Sequence, residues 1–507
     1  MRQEWQRGLA VIGMVSLLLG CGSGAAPPAQ QPPTSGPVIS ISGRALLIDG
    51  TPLVVKGLAY TPVPVGQGPS EWLPTDARIY ARDLPLVRAS GANTMRTYAM
   101  IPSPDPGILA VAEQAGVFLM LGFPLDPHYA TASQPTQTLD PSTSAGQTLR
   151  ARVLDDFRQY VRRTCASPHV IAYVAGNEVT LNYAAKFMGS PRDFYTLIAE
   201  LAVVPQAACG RFIPVTTAVS DANLSEIGSS ALAADDLALS GLAFWTASAF
   251  RGCTLGTFVS EFAARSGKPL LVGEFGIDAY NQVTGREDQT VQANCAESLW
   301  DEIQDHTATS KTIGGIAFEF SDELWKAGNP SQHDTGGFAN GAFPDGFMNE
   351  EWWGLMSVAP GQRGAVDQLT PRAAYAQLQQ AWTGPVTITS QLGGTVRQTE
   401  TVTGTFANLR SGDVIFIVIR NMFGRLYPQS FPATLSSSSG TWQALAFFGE
   451  PGQNVGDQFQ YYVVVSRDPA LTNQLVAIGQ TGGATALPAS PYLISFGGQQ
   501  TVTAVRQ

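Results

Sequence analysis

Short apolar runs that alternate with longer amphipathic stretches, repeated from residue 38 to residue 383, restrict the fold of this chain more than anything else in it. The apolar runs read "PLVVKGLAY", "GANTMRTYAM", "GVFLMLGFPL", "HVIAYVAGNEV", "RFIPVTTAVSD", "LALSGLAFWTAS", "KPLLVGEFGIDAY" and "GGIAFEFSDELW", eight in all. Segments with helical spacing separate them, such as "TLRARVLDDFRQYVRRT" and "DFYTLIAELAVVPQAA". After the eighth run, "PRAAYAQLQQAW" places Pro371 where a helix can begin. Strands apolar along their whole length are buried on both faces, and when helices join them they pair in parallel. Eight such units predict a closed (β/α)8 barrel over residues 38–383. An open doubly wound sheet is the competitor, but no GxGxxG follows the first run.

The barrel gives two acidic residues a common location. Asn177-Glu178 ends the fourth run and Glu274 ends the seventh. A carboxylate at the end of a buried strand is costly unless something compensates it. In a barrel of this kind the C-terminal strand ends and the loops after them form one mouth, so Glu178 and Glu274 converge there. Two carboxyl groups in different protonation states suit cleavage of a glycosidic bond. One protonates the leaving oxygen, and the other attacks the sugar carbon directly when the pair is ~5–5.5 Å apart, so that configuration is retained.

With these residues in place, the chain resembles clan A of the retaining glycoside hydrolases. "LIDGTPLVVKGLAYTPVPVG" looks like the opening strands of family 2 catalytic domains, and with "NTMRTY" and "AGNEV" it is also similar to the β-1,3-glucan-active families 17 and 72. "KPLLVGEFGIDAYN" and "FEFSDELWK…HDTGGF…NEEWWG" look like bacterial relatives of the same clan. The resemblance implies Glu178 as acid/base, Glu274 as nucleophile, Asn177 on the sugar 2-hydroxyl and Arg96 as support for the nucleophile. It implies no cofactor. The pattern's strand-six tyrosine, which bonds the nucleophile, is absent, because "GLAFWTA" puts Ala243 and Trp245 at those places. Phe320 and Leu324 replace aromatic positions of the pattern, whereas Trp325 is retained.

Further candidates carry two readings each. Trp245, Trp325, Trp352 and Trp353 suit either sugar stacking or core packing, and Tyr60 and Tyr98, at the ends of strands one and two, suit a pocket wall. His128 sits in the third loop, and Asp322 and Glu323 follow strand eight, where each can hold a loop or touch sugar hydroxyls. The expected activity is hydrolysis or transglycosylation of a β-glucan-like polysaccharide or oligosaccharide. The alternatives are β-galactosidase or β-mannanase specificity, or a non-catalytic polysaccharide-binding surface protein.

Outside the barrel the composition changes. Residues 1–21 read as a signal peptide, with Arg2 and Arg7 near a short apolar core that ends in "LLGC", and residues 22–37 as a Pro/Gln/Ser tether. "LLGC" resembles the bacterial lipobox, which implies cleavage before Cys21 and a lipid on its sulfur; an ordinary secretory signal with an incidental cysteine is the alternative. Export permits disulfides among Cys165, Cys209, Cys253 and Cys295, and four cysteines allow three pairings. Cys165 and Cys209 each precede a strand, so they can pair if those strands are neighbours, leaving Cys253 with Cys295. No CxxC or Cys/His cluster suggests a metal site. The net charge of −10, without a Lys/Arg run, argues against a nucleic-acid partner. Residues 384–507 lose the helical spacing and predict a β-sandwich accessory domain. If Cys21 carries the lipid, Cys21→Ala moves the exported protein from the membrane pellet to the soluble fraction; an unchanged partition contradicts the anchor.

Overall fold

The computed structural model describes residues 36–504, apart from residues 131–135, 310, 363, 385, 391, 393, 408, 410, 411, 437–439, 451–453, 489 and 491. The expected signal peptide, Cys21 and the tether as far as residue 35 lie outside the described residues. Eight parallel strands close into a barrel: β1 (Val55–Tyr60), β2 (Thr94–Thr97), β3 (Phe118–Phe123), β4 (Val170–Asn177), β5 (Val215–Val219), β6 (Trp245–Ala249), β7 (Leu270–Phe275) and β8 (Gly314–Ala317). They neighbour one another in chain order, and β8 closes the ring against β1.

Helices fill six of the seven connections between consecutive strands, a further helix, Ala373–Thr383, follows β8, and local sequence explains their limits. Helix Pro191–Leu201, for example, starts at a capping box in which Ser190 and Asp193 satisfy each other's backbone, with Pro191 in the first turn. Between β5 and β6 the chain makes only the 3-10 turns Asp221–Glu226 and Ser230–Leu232, where the strand–helix alternation predicts a helix. A large apolar core lies between the strands and the helices, including Tyr173, Trp245, Val272 and Phe275. A second one, including Ala59, Met120, Val174 and Leu271, fills the inside of the barrel. Ile39 and Leu46, from an antiparallel hairpin before β1, join this inner core.

The alternation of inward and outward side chains breaks at two places that matter. Along β7, Leu271 belongs to the inner core and Val272 to the outer one, so strict alternation would turn Glu274 outward. The pairing of β7 with both neighbours slips just after Val272. Phe275 takes the outward position instead, and Glu274 faces the cavity at the mouth. On β4 the pairing with β5 slips between Val174 and Asn177, one residue before Glu178. Such irregularities re-aim side chains at the rims of barrels.

The C-terminal region forms two antiparallel-dominated sheets of four and five strands that share a buried core around Trp442, Ile417 and Tyr461. It also contains a helix, Pro469–Gln480, which corrects the strand-only reading of residues 384–507. Asp468 caps that helix, Pro469 starts it, and Leu471 and Leu475 lie one turn apart on the face packed against Phe416 and Val464. Arg467, just before it, donates to the carbonyl of Ala89 and to the Thr383 hydroxyl, both at 2.6 Å, and so ties this region to the barrel's helical layer.

Disulfides join Cys165 to Cys209 and Cys253 to Cys295, across 44 and 42 residues of chain. Cross-links that close loops of this size contribute about 2–4 kcal/mol, mostly by restricting the unfolded chain. Replacing Cys165 and Cys209 together by Ala should lower the barrel's unfolding free energy by about that much in guanidinium titrations. An unchanged midpoint would contradict a structural contribution from this bond.

Candidate active site

A cavity of about 1000 Å³ opens at the C-terminal ends of the barrel strands, and Arg96, Tyr98, Asn177, Glu178 and Glu274 all line it. Arg96 crosses from β2 to β7 and β4. Its Nη1 donates to the Gly273 carbonyl at 2.9 Å and to Glu274 Oε1 at 3.1 Å, and its Nη2 donates to Asn177 Oδ1 at 2.6 Å. Tyr98 donates its hydroxyl proton to the same Glu274 Oε1 at 2.7 Å. Oε1 therefore accepts from two donors, and Glu274 presents the hydrogen-bonding pattern of a carboxylate. Burial raises the Tyr98 phenol well above its usual range, with Glu274 adding to the rise and Arg96 opposing it, so Tyr98 remains a donor.

Gly273 allows this approach. A side chain there would meet the Thr246 methyl at 2.4 Å and Arg96 Nη1 at 3.4 Å. Arg96 is only 1% exposed, and a guanidinium so deeply buried is tolerable because a carboxylate, an amide oxygen and a carbonyl surround it.

Glu178 follows β4 in the left-handed region, at φ 49°. Gly176 makes the turn possible, since at its φ of 75° a Cβ would lie 2.6 Å from Val179. The Glu178 backbone is pinned on both sides: its N–H donates to the Ala218 carbonyl and its carbonyl accepts from Lys186 Nζ, each at 2.9 Å. Burial, and then the negative charge of Glu274, push its carboxyl up to about 7, against opposing pulls from Ser248, Arg96 and Lys186. This folded-state value exceeds that of an unfolded glutamate. The group's contribution to stability is therefore complete below the unfolded pKa of about 4.3 and is lost as pH rises through about 7.

Other expected site residues separate into two sets. Trp325 and Trp353 line the cavity, the latter packed edge-on against Phe250 and Phe318. Tyr60 does end β1, but its side chain turns outward into the helical layer and donates to Asp83 at 2.8 Å, which corrects its expected place in the pocket. Trp245 is likewise no part of the cavity. It starts β6 rather than ending it, and packs in the outer core against Tyr195. Trp352 stacks on His333 and Tyr280 away from the cavity. His128 pairs with Glu71, and Asp322 is held by Arg372 and His333, whereas Glu323 lines the cavity.

The misplaced Trp245 also relocates the missing tyrosine. With β6 limited to Trp245–Ala249, the residues of this strand nearest the mouth are Ser248, Ala249 and then Phe250, and Ser248 pairs in register with Glu274. The phenol that bonds Glu274 comes instead from β2, as Tyr98. Ser248, Phe250, Lys186 and Lys326 escaped the sequence reading. Correct bounds for β6 would have pointed to the first two, and nothing local marks the lysines.

No family model and no curated protein matches the chain. Among solved structures, it is similar to a β-glucuronidase from Ruminococcus gnavus in complex with C6-substituted uronic isofagomine, at 15% identity and a TM-score of 0.49, over 68% of this chain and 52% of that one. It is also similar to a GH2 β-galacturonidase from Eisenbergiella tayi bound to galacturonate, at 14% identity and a TM-score of 0.44, over 68% of this chain and 54% of that one. The chain thus spans about half the length of these proteins.

If Glu274 carries a charge beside Glu178, removing that charge must ease ionisation of Glu178. Carbon-13 NMR of labelled glutamate carboxyls should find Glu178 titrating near pH 7 in the native protein and lower in Glu274→Gln. An unmoved midpoint would contradict the coupling.

Proposed function

We propose that this protein is a retaining β-glycosidase or transglycosylase of the clan A type, acting on a β-glucan-like polysaccharide. The observation that carries this reading is the unequal treatment of two carboxyl groups in one cavity: Glu274 accepts from Arg96 and Tyr98, while Glu178 is raised to about 7. Divergent environments of this kind assign acid and nucleophile.

In the first step Glu274 attacks the anomeric carbon as Glu178 gives its proton to the departing glycosidic oxygen, leaving a glycosyl ester on Glu274. In the second step Glu178, now ionised, takes a proton from water or from a sugar hydroxyl, whose oxygen displaces Glu274 from the anomeric carbon. Asn177, with Oδ1 engaged by Arg96, offers its amide nitrogen to the sugar 2-hydroxyl. Trp325 and Trp353 supply apolar wall. Tyr98 gives Glu274 a phenol hydrogen bond of the kind that the absent strand-six tyrosine makes in the clan pattern. On this reading the protein works outside the cytoplasm, tethered through a lipid on Cys21.

Proton NMR of fresh digests of β-1,3- and β-1,4-glucan oligosaccharides should find the β-anomer first; the α-anomer first would contradict retention. Glu178→Gln should lower kcat/KM by ~10²–10⁴-fold on substrates with poor leaving groups. In the native enzyme kcat/KM should fall above about pH 7, as Glu178 loses its proton. A rate still rising above that pH would contradict its service as the acid.

A further inference from the structure

The segment after β8 adds a second charged group to the same cavity. Lys326 Nζ lies 2.9 Å from Glu323, 3.6 Å from Glu350 and 3.8 Å from Glu319. Three carboxyl groups thus surround one ammonium, and Glu323, Lys326 and Glu350 all line the cavity. Glu319 lies behind them, only 1% exposed, with an Oε1 that has no hydrogen-bond partner and points into this group.

Charge over the whole cavity is similarly uneven. Among the described residues its lining includes six carboxyl groups and three cations; of the six, Glu71 is paired with His128 and Glu178 is raised to about 7. Arg96 is matched by Glu274, and Lys186 by Asp126 at 2.9 Å. Lys326 is outnumbered, and its ammonium is already engaged by Glu323. Burial, followed by the charge of Glu323, raises Glu319 well above the usual carboxylate range, whereas Glu323 and Glu350 stand at the cavity wall itself with one ammonium between them. Among the described residues, a uronate entering this space would meet carboxyl groups and no cation without an acidic partner, and like charges in a dry site repel strongly.

We propose that the cavity selects its sugar by charge: it takes cationic amino sugars most readily, accepts uncharged ones and rejects uronates, with Glu323 and Glu350 setting the preference. This rests on the reading of the cavity as a carbohydrate site. A protonated amine donates to carboxylate oxygens that Lys326 leaves unneutralised. A uronate carboxylate would have to displace one of the lysine's existing partners and leave that partner buried and unpaired.

The test is calorimetric binding of three β-1,4-linked tetrasaccharides, of glucosamine, glucose and glucuronate, at about pH 5.5, where the amines are protonated. The full-length protein should bind the glucosamine oligomer tightest and the glucuronate oligomer at least ~10-fold more weakly. Glu350→Gln, a partly exposed position, should narrow that ratio severalfold without unfolding the protein. Equal or tighter binding of the glucuronate oligomer, an unchanged ratio in Glu350→Gln, or no binding of any of the three would overturn the proposal. Sugar products measured in the same samples separate the two claims. Hydrolysis without charge preference removes only this proposal, and charge preference without hydrolysis removes only the glycosidase reading.

Discussion

A single buried guanidinium organises this molecule's chemistry. Arg96 is out of reach of water and bonds simultaneously to the carboxylate that ends β7, the backbone before it and the amide that ends β4. It fixes Glu274 in orientation and places Asn177, and through Asn177 the start of the turn that carries Glu178. Removing one partner of a buried ion pair typically costs about 3–5 kcal/mol. The site and the stability of the barrel mouth are for this reason the same set of interactions.

The backbone is built around that hub. Regular alternation would point Glu274 at the helices, so the slips in pairing on β4 and β7 are what bring both acidic residues to the mouth. The glycines beside them have matching tasks: Gly273 lets Arg96 in, and Gly176 turns the chain so that Glu178 can adopt its left-handed conformation. Unequal hydrogen bonding then separates the two carboxyls chemically. One accepts from two donors, and the other is raised by burial and a neighbouring negative charge.

Much of this was legible in the sequence, for physical reasons. Seven of the eight barrel strands lie wholly within the apolar runs and β6 passes the end of its run by one residue, because doubly buried strands cannot hide their composition. Glu178, Glu274, Arg96, Asn177 and Tyr98 were legible because each stands at the end of a strand, where the barrel geometry forces convergence. Two kinds of information were not. The run "LALSGLAFWTAS" begins well before β6, so counting from its start put Trp245 at the mouth when it belongs at the opposite end of β6. Tyr60 ends β1 and Tyr98 directly follows β2, and only the phase of the alternation decides that one faces Asp83 and the other Glu274. The helix Pro469–Gln480 did carry its signals, Asp468 and Pro469, but the strands around it obscured them.

The account depends most on Glu274 being the group that bonds to sugar. Incubation with 2-deoxy-2-fluoro-β-glycosides of several sugars, followed by peptide mass spectrometry, reads this directly, because fluorine slows breakdown of the covalent intermediate. The account requires one glycosyl adduct per chain, on the peptide containing Glu274. An adduct on any other residue, or no adduct with any of the sugars, would contradict it.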